Sequence, residues 1–102
     1  MICTLTARRL RSGAEDEFRA AFEGAVDTMP EDVVKRWSRV FVCRDVSDPS
    51  VLLTFGLFDG TLDELRAIQG QPEREAQLDS IAPTVDEVLL DGSYEVIREI
   101  TP

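Results

Sequence analysis

Histidine is absent from this chain of 102 residues, and its absence removes several classes of functional site at once. A Ser-His-Asp triad or a Cys-His pair cannot be built without it. A histidine metal ligand and an axial histidine for haem are excluded for the same reason. Any chemistry that the chain performs must therefore use other side chains.

Cysteines and basic residues are also few. The two cysteines, Cys3 and Cys43, each sit in a strand-like run without CxxC spacing. We expect reduced core thiols in a cytoplasmic protein, with a bridge between adjacent strands as the alternative. The 11 basic residues are outnumbered by 20 acidic ones, which gives a formal charge of -9. Nucleic acids and anionic membranes are bound by clustered lysine and arginine, so we expect neither as a partner.

Long apolar runs and ligand-binding motifs are missing as well. Residues 1–5 lack the charged region and apolar core of a signal peptide, and no segment is long enough to span a membrane. No acidic cluster has metal-ligand spacing, and neither GxGxxG nor a Walker sequence occurs, so no metal or cofactor is expected. The length predicts one domain over residues 1–102.

Hydrophobic periodicity predicts the element order β-α-β-β-α-β. Strands are expected at residues 2–8, 37–44 and 51–58 and within 85–100, and helices at 14–28, 62–69 and 72–81. Capping-box spacings at Ser12–Glu15 and Thr61–Glu64 mark two helix starts, and Asp91-Gly92 predicts a turn or bulge in the last strand. This order predicts an α+β fold, the ferredoxin-like antiparallel sheet with helices on one face.

The second and third strands are apolar on both faces. In the third strand Phe55 and Leu57 point to one side, while Leu52 and Phe58 point to the other. Because the helices can cover only one face of the sheet, a second copy of the chain is the simplest cover for the other. The sequence therefore predicts a homodimer with the two sheets packed face to face.

Three features carry a resemblance to a known family. They are the element order, the segment FVCRDVSDPSVLLTF at residues 41–55, and the helix LDELRA at residues 62–67 with the β-rich tail that follows it. In these features the chain resembles the antibiotic biosynthesis monooxygenase-like family of dimeric α+β barrels. The resemblance implies a barrel made by two sheets, a last strand that often reaches onto the partner, and a pocket between sheet and helices. Some members oxidise aromatic polyketides with molecular oxygen and without metal or flavin, whereas others degrade haem.

The chain departs from the family pattern at two places. Many relatives carry a tryptophan after the third strand and a histidine near the end of the following helix. Here those positions hold Asp59-Gly60 and Ile68-Gln69. The lack of histidine argues against haem degradation, and the oxygenase interpretation stays open because cofactor-free oxygenation is not tied to one residue set.

Trp37 and Arg39 are the candidate catalytic residues. The indole of Trp37 suits stacking on a planar substrate, although a core or interface aromatic is the structural alternative. Strand alternation predicts that Arg39 shares the face of Trp37, because the two residues are two positions apart. An arginine on an apolar face needs an acidic partner. We expect Arg39 either to form a salt bridge across the dimer or to bind an enolate or carboxylate.

Six further residues are candidate substrate contacts: Thr4, Thr6, Asp59, Gln69, Tyr94 and Arg98. Each also has a structural alternative, such as a threonine that suits a pleated strand or a residue that ends a helix. Two functions remain open. The first is a cofactor-independent monooxygenase-type enzyme for a small planar apolar substrate, of polyketide or quinol type. The second is a non-catalytic homodimer that binds a small apolar or aromatic ligand or another protein.

Overall fold

The computed structural model describes all residues from Met1 to Pro102. Its elements in chain order are β1 (Ile2–Leu10), α1 (Glu15–Thr28), α2 (Glu31–Val34), β2 (Trp37–Arg44), β3 (Val51–Phe58), α3 (Leu62–Gln69), α4 (Pro72–Ile81) and β4 (Val85–Glu95). The strands form one antiparallel sheet in the order β2-β3-β1-β4. The predicted ferredoxin-like α+β fold is confirmed. None of the helices has the length and apolar character needed to cross a bilayer.

The helices pack on one face of the sheet and bury two small apolar clusters. The first joins Phe18 of α1 and Ile81 of α4 to Leu10 and Leu52 of the sheet. The second consists of Ile2, Phe58 and Leu65. Phe18, Phe58 and Leu65 have no exposed surface. Leu52 and Phe58 share a face, as predicted, and the structure shows that this face is the one covered by the helices.

The opposite side of the sheet, which we call the open face, is uncovered and largely apolar. Leu53, Phe55 and Leu57 of β3 lie on this face, because strand residues alternate with the buried Leu52 and Phe58. Phe41 pairs with Phe55, and 44 % of Phe41 is exposed. The sheet is thus apolar on both sides, as the sequence predicted.

Both cysteines lie on the open face. Cys3 is paired with Leu57 and Cys43 with Leu53, so β3 separates the strands that carry them. Both thiols are free, and Cys43 is exposed within the isolated chain. The prediction of two core thiols is therefore wrong for Cys43, and a bridge between adjacent strands is not possible because β1 and β2 are not adjacent.

The two predicted capping boxes have different outcomes. Thr61 and Glu64 form a reciprocal capping box at the start of α3. The Arg36 guanidinium, 2.5 Å from the Glu64 carboxylate, and the hydrogen bonds from Thr61 lower the pKa of Glu64 to about 2. Ser12 does not cap α1, which begins after Ala14 without a side-chain cap. The predicted box at Ser12–Glu15 is wrong because the helix starts at Glu15, which puts Ala14 and not Ser12 at the cap position. Glu15 pairs with Arg44.

Bulges change the sheet in two strands. In β2, Trp37 pairs with Phe58 but Arg39 pairs with Leu57, which leaves Ser38 as an extra residue. Because of this one-residue shift, each residue of β2 after Ser38 points to the opposite face from the one that regular alternation would give it. The prediction that Trp37 and Arg39 share a face is therefore wrong: Trp37 lies on the helix side and Arg39 on the open face.

The last strand also differs from its prediction. Asp91 and Gly92 pair regularly with Thr6 and Leu5, so the predicted turn or bulge at this dipeptide is wrong. The pairing of β4 with β1 is irregular earlier in β4, between the partners of Ala7 and Arg8 and between the partners of Arg9 and Leu10. The strand ends at Glu95, and residues 96–102 have no regular structure.

Candidate functional site

A pocket of about 250 Å³ lies between the sheet and the helices. Its floor is the helix side of β1 and β3, and its walls come from β2, the second half of α1 and the beginning of α4. Six apolar residues that line it are Phe22, Val26, Met29, Val33, Val40 and Ile68. Small-molecule sites are typically about 300–1,000 Å³. The volume therefore suits a ligand of one or two rings rather than a large polycycle.

Trp37 forms one wall of this pocket. Its ring centroid lies 5.2 Å from that of Phe58, with the two rings tilted by 59°. The indole also lies directly over Gly56, where an added Cβ would be 2.6 Å from Trp37 Cζ3 and 3.0 Å from Thr4 Oγ1. Such contacts are too close for any side chain. The glycine in the middle of β3 therefore allows the indole to lie flat against the sheet.

We expect a Gly56→Ala variant to displace the Trp37 ring and to weaken aromatic binding in the pocket by about tenfold, the equivalent of ~1.4 kcal/mol. Trp37 is the only tryptophan, so its fluorescence reports on the pocket directly. The measurement is the emission maximum and the quenching by an aromatic ligand. A Gly24→Ala variant is the matched control, because nothing lies within 4 Å of an added Cβ there. An unshifted spectrum with unchanged affinity would contradict this view of the wall.

The other end of the pocket is polar. Arg8 Nη1 donates to Thr54 Oγ1 at 3.1 Å, and Thr6 Oγ1 donates to Asp91 Oδ1 at 3.1 Å. Arg74 of α4 donates to the side-chain oxygen of Gln77. Gln77 in turn donates to the Phe22 carbonyl at 3.0 Å, which fixes its amide. Arg74 thus lines this end of the cavity, whereas Arg8 does not line it and lies beside it, bonded to Thr54 and close enough to Arg74 to interact electrostatically.

Arg8 is a buried cation with few interactions that compensate for the loss of its hydration. Only 4 % of it is exposed, and its guanidinium carbon lies 5.5 Å from the centre of the Phe18 ring. Burial lowers the pKa of Arg8, the neighbouring Arg74 lowers it further, and Asp91 acts in the opposite direction. Burial likewise lowers the pKa of Arg74, again opposed by Asp91. Both groups remain charged at neutral pH, because an arginine guanidinium is effectively always protonated in a protein.

The structure divides the residues proposed from sequence into two groups. Four of them line the pocket: Thr4, Thr6, Trp37 and Gln69. The other four lie outside it: Arg39, Asp59, Tyr94 and Arg98.

The four outer residues have different positions. Arg39 and Tyr94 lie on the open face, opposite Leu57 and Cys3. Asp59 accepts a hydrogen bond from Arg36 Nε through its backbone oxygen at 2.7 Å and so closes the end of β3. Arg98 follows the last strand and is exposed. Tyr94 and Arg98 do not share one side of a strand, because the last strand ends at Glu95, between them.

Sequence reasoning missed three residues at the polar end, namely Arg8, Arg74 and Asp91. Arg8 could have been found, because it continues the alternation of Thr4 and Thr6 onto the covered face of β1. Nothing in the sequence distinguishes Arg74 or Asp91 from the many other charged residues, since each lies in a segment whose composition suggests solvent exposure. The structure has no group of three or more acidic or cysteine side chains placed to hold a metal ion.

Comparison with known proteins identifies the fold. No protein-family model matches the chain, and no curated protein matches it either. Among solved structures, a candidate antibiotic biosynthesis monooxygenase from Caulobacter crescentus CB15 has a TM-score of 0.80 at 13 % identity, over 95 % of this chain and 90 % of that chain. SnoaB from Streptomyces nogalater, a cofactor-independent oxygenase, has a TM-score of 0.75 at 14 % identity, over 99 % and 96 %.

A third structure, Rv0793 from Mycobacterium tuberculosis, has a TM-score of 0.77 at 11 % identity and covers 98 % of each chain. Such low identities establish a shared fold and do not by themselves carry an activity across. The resemblance to the antibiotic biosynthesis monooxygenase-like proteins that the sequence predicted is confirmed at the level of the fold.

Proposed function

We propose that this protein is a homodimeric, cofactor-independent oxygenase that acts on a small planar phenol in the pocket between sheet and helices. One observation carries the proposal: Trp37 and the half-buried Arg74 line the same cavity, and the buried Arg8 lies close enough to interact electrostatically with Arg74. This arrangement suits a substrate that is flat and apolar but becomes anionic when it reacts. This protein shares its fold with SnoaB, which is named a cofactor-independent oxygenase, and the shared fold supports the proposed chemistry.

The roles of the pocket residues follow from their chemistry. Trp37 stacks on the aromatic ring, and Thr4, Thr6 and Gln69 are placed to hydrogen-bond its oxygen substituents. The positive charge of Arg74 and Arg8 favours the deprotonated phenolate, which is the electron-rich form that transfers an electron to oxygen. Asp91, which faces both arginines, is our candidate for the group that accepts the proton.

The overall reaction is balanced without a cofactor. A phenol ring carbon loses its hydrogen and becomes a carbonyl that contains one atom of O₂. The other oxygen atom leaves as water together with the ring hydrogen and the phenolic hydrogen. For 1-naphthol this gives 1,4-naphthoquinone and one water. The substrate supplies all four electrons.

We further propose that the open face is covered by a second copy of the chain. Phe41, Leu90 and Tyr94 leave 44 %, 44 % and 47 % of their surface exposed in the isolated chain. Together with Leu53, Phe55 and Leu57 they form a continuous apolar surface of the kind that marks a protein interface. A two-fold dimer buries the same surface on both copies.

Oxygen uptake with 1-naphthol tests the enzymatic proposal. We expect uptake above the uncatalysed rate, formation of 1,4-naphthoquinone, and a Trp37→Leu variant with kcat/KM about tenfold lower because the stacking contact is lost. An Arg66→Met variant is the control, since Arg66 is exposed and lies outside the pocket. If 1-naphthol quenches Trp37 fluorescence but no oxygen is consumed, the protein is a non-catalytic binding module instead.

A further inference from the structure

We infer that the natural ligand of the pocket carries a carboxylate beside its planar ring, and that Arg74, backed by Arg8, binds this carboxylate. The inference rests on the proposed function, because it names the class of molecule that the same pocket takes. Contact with Trp37 alone would suit a neutral aromatic ring. The inference adds that the ligand also carries an acidic group that is permanently charged at neutral pH.

The first argument is that Arg8 and Arg74 form no ion pair although they are shielded from water more than the other unpaired arginines, which are exposed. Seven ion pairs exist in the structure, and none of them includes Arg8 or Arg74. This happens although acidic residues outnumber basic ones by 20 to 11. A buried guanidinium without a carboxylate costs stability. Arg8 is buried beside the pocket and Arg74 is half-buried in its lining, so a ligand anion next to Arg74 would supply the missing negative charge.

The acidic groups near Arg8 and Arg74 do not supply the missing ion pair. Asp91 interacts electrostatically with both guanidinium groups, but its Oδ1 accepts the Thr6 hydroxyl and the residue is exposed. Glu73 also lines the pocket, yet it is exposed and forms no ion pair with Arg74. A ligand carboxylate next to the half-buried Arg74 would gain charge-assisted hydrogen bonds.

The second argument is the spacing between the two ends of the pocket. The indole of Trp37 lies over Gly56. Thr54, two residues earlier in the same strand, lines the polar end of the pocket and accepts a hydrogen bond from Arg8 beside it. Two residues of a β-strand span about 7 Å. This length accommodates an aromatic ring system followed directly by a carboxylate. The pocket of about 250 Å³ limits the ring system to one or two rings.

The test compares 2-naphthoate with its neutral isostere 2-naphthamide, using quenching of Trp37 fluorescence and calorimetry at low salt and pH 7. We expect the carboxylate to bind the wild-type protein at least about tenfold more tightly than the amide, as charge-assisted hydrogen bonds predict. In an Arg74→Met variant this preference should disappear, while the affinity for the amide stays the same. Arg66→Met removes an exposed charge outside the pocket and should retain the preference.

The outcomes separate this inference from the proposed function. Equal binding of the two probes, or a preference that persists in Arg74→Met, overturns the carboxylate site and leaves the oxygenase proposal intact. Absence of naphthoate binding at millimolar concentration also overturns it, while oxygen uptake with 1-naphthol still decides the activity independently. If Arg74→Met does not fold, an Arg74→Gln variant with the same expected loss of preference replaces it.

Discussion

A Phe55→Glu variant is expected to be monomeric at concentrations at which we expect the wild-type protein to form the proposed dimer. Phe55 lies in the central strand β3 on the open face, where its ring is 6.1 Å from that of Phe41. Burying one phenylalanine contributes about 1.5–3 kcal/mol, and a two-fold interface contains the residue twice. The loss of both contacts weakens dimerisation by about 1,000-fold. Two carboxylates placed in the apolar interface weaken it further.

Sedimentation equilibrium of the wild type and the variant measures this effect. Val46→Glu is the matched control, because Val46 is a fully exposed apolar residue in the loop before β3, and we expect it to remain dimeric. Circular dichroism on the same samples shows whether the monomeric variant keeps its fold. If the wild-type protein sediments as a monomer, or if the Phe55→Glu variant remains a dimer, the proposal that a second copy covers the open face is wrong.

Replacing Arg8 with methionine is expected to stabilise the protein and to impair ligand binding at the same time. The buried guanidinium has one side-chain hydrogen bond, to Thr54, and no ion pair within the chain. Exchanging a poorly compensated buried charge for an apolar side chain of similar length is commonly neutral or stabilising. The lost contact with the Phe18 ring offsets part of the gain. We expect a net gain of about 1 kcal/mol, which raises Tm by about 4–8 °C.

Thermal unfolding and naphthoate titration of the same variant measure the two effects. Affinity for 2-naphthoate should fall about tenfold, because the charge behind Arg74 is removed. Arg66→Met controls for the change in net charge and should alter neither quantity. A clear drop in Tm would show instead that Arg8 is a structural cation, held in place for the fold rather than for a ligand.

Part of the site could be predicted from the sequence. Thr4 and Thr6 were placed correctly because strict alternation in β1 continues without interruption on the side that pairs with β3. Trp37 and Gln69 also line the pocket, as expected for ligand contacts, and the stacking role of Trp37 stays a prediction. Arg39 was assigned to the wrong face, since alternation carries across two residues only if no bulge lies between them.

The sequence by itself determined the elements, their order and the presence of two apolar sheet faces, because each of these depends on the local spacing of side chains along the chain. Tertiary structure alone decided which residues share the pocket. The bulge at Ser38 sends Arg39 away from Trp37, and the packing of α4 on the sheet brings Arg74 to Arg8, which lies 66 positions earlier in the numbering. Bulges and long-range packing depend on the summed contacts of distant elements, so no local pattern records them.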